Sequence, residues 1–273
     1  LAFLSSCVTT KTAVKEFNNA EYYSAATKFQ KVIKEGDSKN SFLLAEALRK
    51  SNRLWQAQKY YTDAINNGYK EEIAYYYLAL SLKSNNAYDQ ADSLISNYLL
   101  KGKDESVLIL MKNELQNINN LRNYPDTSYY RVKNLEAINT EFAEYSPSFS
   151  NDKLFFVSNR ISEKIYSGTG TPFTDLFEVK TRGANVELSS LKKLGENINN
   201  EKVNAGSITF SEDGMYMIFA KGNDGKSSGR NNVDLYWSRF RRGGWTNPRL
   251  LNVNTSRSWD STPYLSKDGK TLY

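Results

Sequence analysis

The sequence predicts an α+β protein with two parts, helical repeats in the first half and repeated antiparallel strands in the second. Three observations carry this prediction. Alanine pairs recur at a constant separation within residues 8–122, and short alternating strands with tight turns recur within residues 140–273. After Tyr124-Pro125-Asp126 the helical spacing gives way to strand spacing, so residues 123–139 are expected to form a linker.

The helical repeats are marked by three pairs of alanines with the same separation within each pair and nearly equal intervals between successive pairs. A large apolar residue follows the second alanine of each pair by four positions. This spacing resembles the tetratricopeptide repeat (TPR), in which small residues let paired helices approach closely and a large side chain fills the gap between hairpins. The resemblance implies packing roles for Ala13, Ala25, Phe29, Ala45, Ala57, Tyr61, Ala79 and Ala91.

Helix ends are predicted at Gly36-Asp37-Ser38, Asn66-Asn67-Gly68 and Ser84-Asn85-Asn86, because Gly and Asn commonly terminate helices. A further helix from about Ser106 to Ile118 is expected to cap the third hairpin. The alternative interpretation of the same apolar spacing is a plain helical bundle without a groove. The matching offsets favour a stacked α-solenoid, whose concave face suits the binding of a peptide or protein.

The second half contains three segments that align on Phe149, Phe210 and Leu265, which follow one another at similar intervals. Each segment predicts a hairpin, and two of them carry Asp-Gly in the turn, where Asp tolerates left-handed geometry and Gly supplies positive φ. The hairpin positions singled out are Pro147, Phe149, Phe210, Asp213, Gly214, Pro263, Asp268 and Gly269.

A second motif of the same half, Thr174–Val179, recurs at a comparable interval as Val233–Ser238. The two copies are followed by the related segments Leu194–Asn199 and Leu251–Asn254. The repeating unit is therefore three or four strands in roughly 55–60 residues, the size of a β-propeller blade with long loops.

The hairpin segments resemble the PD40 or TolB-like repeat, a WD40-like blade with the signature Pro-Ser-Phe-Ser, then Asp-Gly, then an aromatic strand. The resemblance implies that residues 140–273 form the first blades of a propeller, with two blades nearly complete and a third interrupted at Tyr273. Because a propeller needs at least about four blades, the natural protein is expected to continue.

Composition excludes several kinds of catalysis. The chain has no histidine and one cysteine, which excludes Ser-His-Asp and Cys-His catalysis, His-ligated zinc and an intrachain disulfide. Carboxylate-pair chemistry stays open, but no catalytic residue, metal site or cofactor is predicted.

The formal charge of +6 is spread among interleaved acidic residues, so a nucleic-acid partner is not expected. The one basic cluster could bind phosphate or carboxylate, although a solvated hairpin tip is the favoured interpretation. It consists of Arg239, Arg241, Arg242 and Arg249 around Gly243-Gly244.

Residues 1–7 resemble the end of a bacterial lipoprotein signal peptide. An apolar stretch runs into Leu4-Ser5-Ser6-Cys7, a lipobox in that resemblance, and a polar segment follows. The resemblance implies cleavage before Cys7 and lipid attachment to it, with acyl chains as the membrane anchor. A buried cysteine in a short N-terminal helix is the alternative.

A lipobox, TPR hairpins and PD40 blades in this order resemble the PorE-like OmpA-family lipoproteins of Bacteroidota, which belong to the type IX secretion system. The resemblance implies a scaffold on the periplasmic face of the outer membrane that binds outer-membrane and periplasmic proteins. It also implies that a C-terminal OmpA-like domain, absent from this sequence, holds peptidoglycan. The alternative is a propeller lipoprotein that binds or hydrolyses a peptide or glycan.

Overall fold

The computed structural model describes residues 8–124, 134–160, 162–222, 233–255 and 259–273. The chain divides into two units, Leu1–Arg131 and Val132–Tyr273, the first helical and the second built from strands. This division falls inside the linker of residues 123–139 that the sequence predicts.

Within residues 8–124, the first unit consists of seven helices joined by short turns. They are α1 (Thr10–Asn18), α2 (Tyr22–Val32), α3 (Ser38–Lys50), α4 (Leu54–Asn66), α5 (Ile73–Ser84), α6 (Tyr88–Lys101) and α7 (Glu105–Asn123). Each helix packs against the next along the chain, and in addition α1 contacts α3 and α5 contacts α7. α1 and α3, and likewise α5 and α7, are therefore neighbours although they are not consecutive in the chain.

The hairpins α1–α2, α3–α4 and α5–α6 all turn in the same way. One residue in each turn has a positive φ: 62° at Ala20, 60° at Asn52 and 57° at Asn86. The following amide donates to the carbonyl five positions back, as Arg53 does to Leu48 across 2.8 Å, which is the Schellman arrangement. The three turn residues stand at one repeat position, at the same distance along the chain from Ala13, Ala45 and Ala79.

Two departures from the TPR pattern have local explanations. Tyr98, at a position where the repeat usually has alanine, donates a hydrogen bond to Glu72, and its ring fills the space that a side chain at Gly102 would occupy. Glu16, where an aromatic residue is usual, pairs with Lys28 of the neighbouring helix. Both substitutions are thus accommodated without loss of the hairpin.

The last helix is longer than the sequence predicts, since α7 continues to Asn123 instead of ending near Ile118. Its final turn carries Arg122, whose guanidinium pairs with Asp89 and Asp92 of α6 at 2.5 Å each. The last buried residue of α7 is Ile118, and the ion pairs that hold the extra turn involve residues of the preceding helix. Leu121 continues the apolar spacing into this turn but is exposed, so core packing does not mark where the helix ends.

Among its described residues, the second unit contains two main antiparallel sheets and a small hairpin. The first sheet has the order β1 (Glu144–Ser150), β2 (Lys153–Ser158), β5 (Asp175–Arg182) and β6 (Asn185–Lys193), and the small hairpin is β3 (Ile165–Tyr166) with β4 (Thr171–Pro172). The second sheet contains β7 (Asn204–Phe210), β8 (Tyr216–Gly222), β9 (Val233–Arg241), β10 (Gly244–Trp245) and β11 (Arg249–Leu250). The strand β9 pairs with β8, β10 and β11.

The first strands of the two sheets are built alike. The pairing of β1 with β2 shifts between Tyr145 and Ser148, and the pairing of β7 with β8 shifts between Ala205 and Ile208. Inside these irregular segments, the hydroxyl oxygens of Ser146 and Ser207 lie 2.9 Å apart. The two serines have the same separation in the chain as Phe149 and Phe210, so equivalent positions of the two repeats touch.

The two sheets stack with opposite faces in contact. Phe155 and Val157 of β2 share a buried core with Met217 and Phe219 of β8. Phe149 pairs with Leu154 and Phe210 pairs with Met217, so Leu154 and Met217 are equivalent positions. Leu154, however, lies on the other face of the first sheet, in a separate core with Ile138. The contact is therefore head to tail.

Candidate functional site

The residues that the TPR resemblance assigns to helix packing are all inside the first unit. Each has no exposed surface: Ala13, Ala25, Phe29, Ala45, Ala57, Tyr61, Ala79 and Ala91. Ile95, the large residue of the third repeat, is equally buried. These side chains form the core and none is available to a ligand, so they position the site without belonging to it.

The hairpin residues singled out in the second half form two matching turns. In each turn an aspartate, Asp213 or Asp268, accepts a hydrogen bond of 2.6 Å from the hydroxyl of a nearby serine. The glycines that follow, Gly214 and Gly269, have φ of 67° and 68°. These residues are thus used to build the turns.

The remaining hairpin positions differ between repeats in their surroundings. Phe210 packs against Phe155, with ring centroids 4.5 Å apart, whereas Phe149 is 67% exposed. Pro263 is buried and Pro147 is exposed. The structure therefore does not gather these residues into one site.

The arginine cluster is spread over the second sheet. The guanidinium of Arg239 lies 5.3 Å from the ring of Tyr216, and that of Arg249 lies 5.8 Å from the ring of Trp237. The other two members, Arg241 and Arg242, lie at the end of β9 and in the turn that follows it. The four arginines are therefore distributed over β9, the turn after it and β11.

The lipid-attachment candidate Cys7 lies outside the described residues. Among those described, no helix has the length and apolar character needed to cross a membrane. The same residues contain no cluster of three or more acidic, histidine or cysteine side chains that could hold a metal ion.

A buried carboxylate organises the surface of the odd-numbered helices. Glu46 of α3 accepts two hydrogen bonds from Arg49, from Nε at 2.9 Å and from Nη2 at 2.7 Å. It also accepts a bond of 2.5 Å from the hydroxyl of Tyr61, whose side chain is entirely buried. Two donors from different helices therefore hold this carboxylate, one of them a bidentate guanidinium.

The guanidinium of Arg49 lies over an aromatic ring of a second helix. Its carbon is 4.0 Å from the ring centroid of Tyr77 in α5, and that ring stacks on Tyr61 with centroids 5.9 Å apart. A guanidinium that is both hydrogen-bonded and stacked is fixed in orientation. Arg49 thus reaches the surface already positioned.

Electrostatics agree with this geometry. Burial raises the pKa of Tyr61, and the nearby charge of Glu46 raises it further. Burial alone would lower the pKa of Arg49, but the hydrogen bonds and charge of Glu46 outweigh that effect and raise it. Tyr61 is therefore a neutral donor and Arg49 a permanent cation.

Similar contacts continue the row in both directions. The ammonium of Lys50 lies 5.3 Å from the ring of Phe17 in α1, and Lys83 of α5 pairs with Glu114 of α7. Tyr76 contacts Tyr77 with ring centroids 5.4 Å apart. A row of charged and aromatic side chains thus crosses α1, α3 and α5 to reach α7. We name as the odd-helix face the residues Phe17, Arg49, Lys50, Tyr76, Tyr77 and Lys83.

The sequence patterns did not single out Glu46, Arg49 and Lys50 as candidate site residues. A usable signal was present, because Glu46 follows the packing residue Ala45 directly and a charge beside a core position requires a partner. Arg49 three positions later is the natural partner on the same helix.

Comparisons with known proteins identify no family. No family model matches the chain, and no curated protein sequence matches it. One solved structure that matches comes from a structural and mechanistic analysis of two prolyl endopeptidases, with 15% identity and a TM-score of 0.27. The match covers 48% of this chain and only 25% of that one. A likeness this weak carries no argument about function.

Proposed function

We propose that this chain is an interaction scaffold whose helical unit is a TPR-type solenoid that binds protein through the odd-helix face. The observation that carries the proposal is the repetition of one turn geometry in three hairpins. Because Ala20, Asn52 and Asn86 occupy the same repeat position, corresponding surfaces of successive hairpins recur side by side. Solenoids built in this way offer extended surfaces for peptides and proteins.

The sheet unit is, in the same proposal, part of a β-propeller with PD40-like blades. Head-to-tail stacking of two meandering antiparallel sheets is the relation between neighbouring blades. The third repeat continues in the same sense, since the amide of Leu265 donates to the hydroxyl of Thr209 across 3.1 Å. Thr209 pairs with Ile218, on the face of the second sheet opposite to Met217.

The proposal includes a lipid anchor at Cys7 and a place on the periplasmic face of the outer membrane. Its support is the lipobox-like sequence Leu4-Ser5-Ser6-Cys7. On the resemblance to PorE-like lipoproteins, the scaffold would serve a type IX secretion complex. Attachment to peptidoglycan would need a further domain.

No catalytic role is proposed. Histidine is absent from the chain, and the buried carboxylates Glu46, Asp175 and Glu178 are each paired with a cation. The ion pairs of Glu46 and Glu178 stabilise the charged carboxylate, whereas burial raises the pKa of Asp175 despite its pairing with Lys193.

Site-specific photo-crosslinking in the native host tests the binding face. A photoreactive amino acid at Tyr76 or Lys83 of the full-length protein is expected to capture a defined partner from the outer-membrane fraction. The control position is Tyr60, which is half-buried on the even-numbered helix α4. Equal capture from Tyr60 would contradict the choice of face, and robust peptide or glycan hydrolysis by the purified protein would contradict the scaffold role.

The anchor is tested separately with Cys7→Ala in the full-length protein. The variant should no longer appear in the membrane fraction or carry an acyl label, because Cys7 is the chain's sole cysteine. Unchanged fractionation and labelling would exclude it as the attachment site.

A further inference from the structure

Three carboxylates beside the odd-helix face form ion pairs within the helical unit. Glu16 pairs with Lys28, Glu46 with Arg49, and Glu114 with Lys83, so these three acidic side chains are neutralised inside the unit. A partner that approaches this face therefore finds no unpaired carboxylate among these three.

The groups left over on the face are hydrogen-bond donors. Arg49 bonds Glu46 through Nε and Nη2, and its Nη1 makes no hydrogen bond to a carboxylate among the described residues. The hydroxyls of Tyr76 and Tyr77 likewise make no hydrogen bond to any described residue. Lys50 is exposed and has ring neighbours, Phe17 and Tyr22, but no described carboxylate within ion-pair distance.

From this excess of donors, we propose that the odd-helix face binds an acidic peptide segment of a partner protein. This inference rests on the proposed protein-binding role and adds the chemistry of the partner. Carboxylates of the segment meet Lys50 and the Nη1 side of Arg49, and its carbonyls accept from Tyr76 and Tyr77. Because Glu46 and Tyr77 hold Arg49 in place, little side-chain entropy is lost on binding.

Fluorescence anisotropy with a labelled peptide that alternates Glu with Ser and Gly tests the proposal on the full chain. The matched probe replaces every Glu with Gln and keeps length and backbone. The Glu peptide should bind and the Gln peptide should not. Raising salt from about 0.1 M to about 1 M should weaken binding, because the Debye length falls from about 10 Å to about 3 Å.

Two variants test the residues, and neither disturbs the buried pair. Lys50→Gln should lower the affinity for the Glu peptide about two- to fivefold, which is the loss expected when one exposed ion pair is removed. Tyr77→Phe keeps the ring beneath Arg49 and removes the hydroxyl, and it should weaken binding about two- to tenfold. Lys59→Gln is the control, since Lys59 is an exposed lysine beside a ring on the even-numbered helix α4.

Equal affinity for the Glu and Gln peptides, or equal weakening by Lys59→Gln and Lys50→Gln, would overturn the proposal. So would a single-stranded oligonucleotide of equal charge that binds as tightly as the peptide. If the acidic peptide fails while crosslinks from Tyr76 persist, the partner's chemistry is wrong and protein binding stands. If both fail, the face is not a binding surface.

Discussion

The hydroxyl of Tyr61 in α4 donates a hydrogen bond to the carboxylate of Glu46 in α3, and both side chains are buried. Removing this donor leaves a buried charge with one partner fewer. Tyr61→Phe is therefore expected to lower the free energy of unfolding by about 1–3 kcal/mol. Tyr60→Phe, on the same helix but only half-buried, should change it little. Denaturant titration of both variants compares them, and equal losses would contradict the role of the hydrogen bond.

Ala57 has no exposed surface. Ala57→Leu should overpack the helix crossing and cost about 1–3 kcal/mol of unfolding free energy. Gln56→Leu places the same side chain at the preceding, exposed position, where the cost should be small. Thermal unfolding measures both, and an unchanged midpoint for Ala57→Leu would argue against the repeat alignment.

Ala20 has a left-handed backbone, with φ of 62°, whereas its equivalents are asparagines. A β-carbon is unfavourable in this conformation, so Ala20→Gly should raise the free energy of unfolding by about 1 kcal/mol. A loss of stability in Ala20→Gly, measured by denaturant titration, would count against this account.

Asn254 joins two segments of the second sheet. Its side chain accepts from the amide of Leu235 at 2.7 Å and donates to the carbonyls of Leu235 and Leu251 at 2.9 and 2.8 Å. Asn254→Ala should cost about 1–3 kcal/mol for the polar groups left unpaired. Asn252→Ala, at an exposed position nearby, is the control. Similar denaturation midpoints for the two variants would show that these bonds contribute nothing.

Glu144 should give the sheet unit an acid-sensitive component of stability. Burial would raise its pKa, but hydrogen bonds from Thr140 and Ser158 and the charge of Arg160 hold it below the ordinary value of 4.5. A carboxyl whose pKa is lower in the folded state stabilises the fold above its unfolded-state pKa, and this contribution is lost as the pH falls.

Unfolding free energy should therefore drop below about pH 4.5 in the wild type, and the drop should be smaller in Glu144→Gln. The difference between the two pH profiles isolates Glu144 from the other carboxylates. Parallel pH profiles for the two proteins would show that Glu144 does not contribute to the loss of stability in acid.

Local spacing carries much of the fold. Small residues such as Ala57 and Ala91 mark helix crossings because a close approach of two helices needs a small side chain. A single residue meets that requirement, so it can be recognised in the sequence. The turn pairs Asp213-Gly214 and Asp268-Gly269 can be recognised for the same reason: the constraint is satisfied within a few residues.

The candidate site could not be predicted in this way. The orientation of Arg49 depends on its contact with Tyr77 in a later helix, and Glu46 accepts a hydrogen bond from Tyr61 in the next helix. These contacts form only when the helices pack. Phe149 and Phe210 show the same limit, since identical residues at one repeat position differ in exposure according to what lies opposite them.

Because the two sheets of the second unit contact each other head to tail, the two surfaces that meet are not equivalent. The two sheets meet through dissimilar surfaces, so a substitution on one surface has to be matched by a substitution on the facing surface of the other sheet, not by the equivalent residue. Interfaces along a row of such sheets can diverge independently. A whole repeat can also be duplicated or removed as a cassette, because the newly adjoining surfaces are again of complementary kinds.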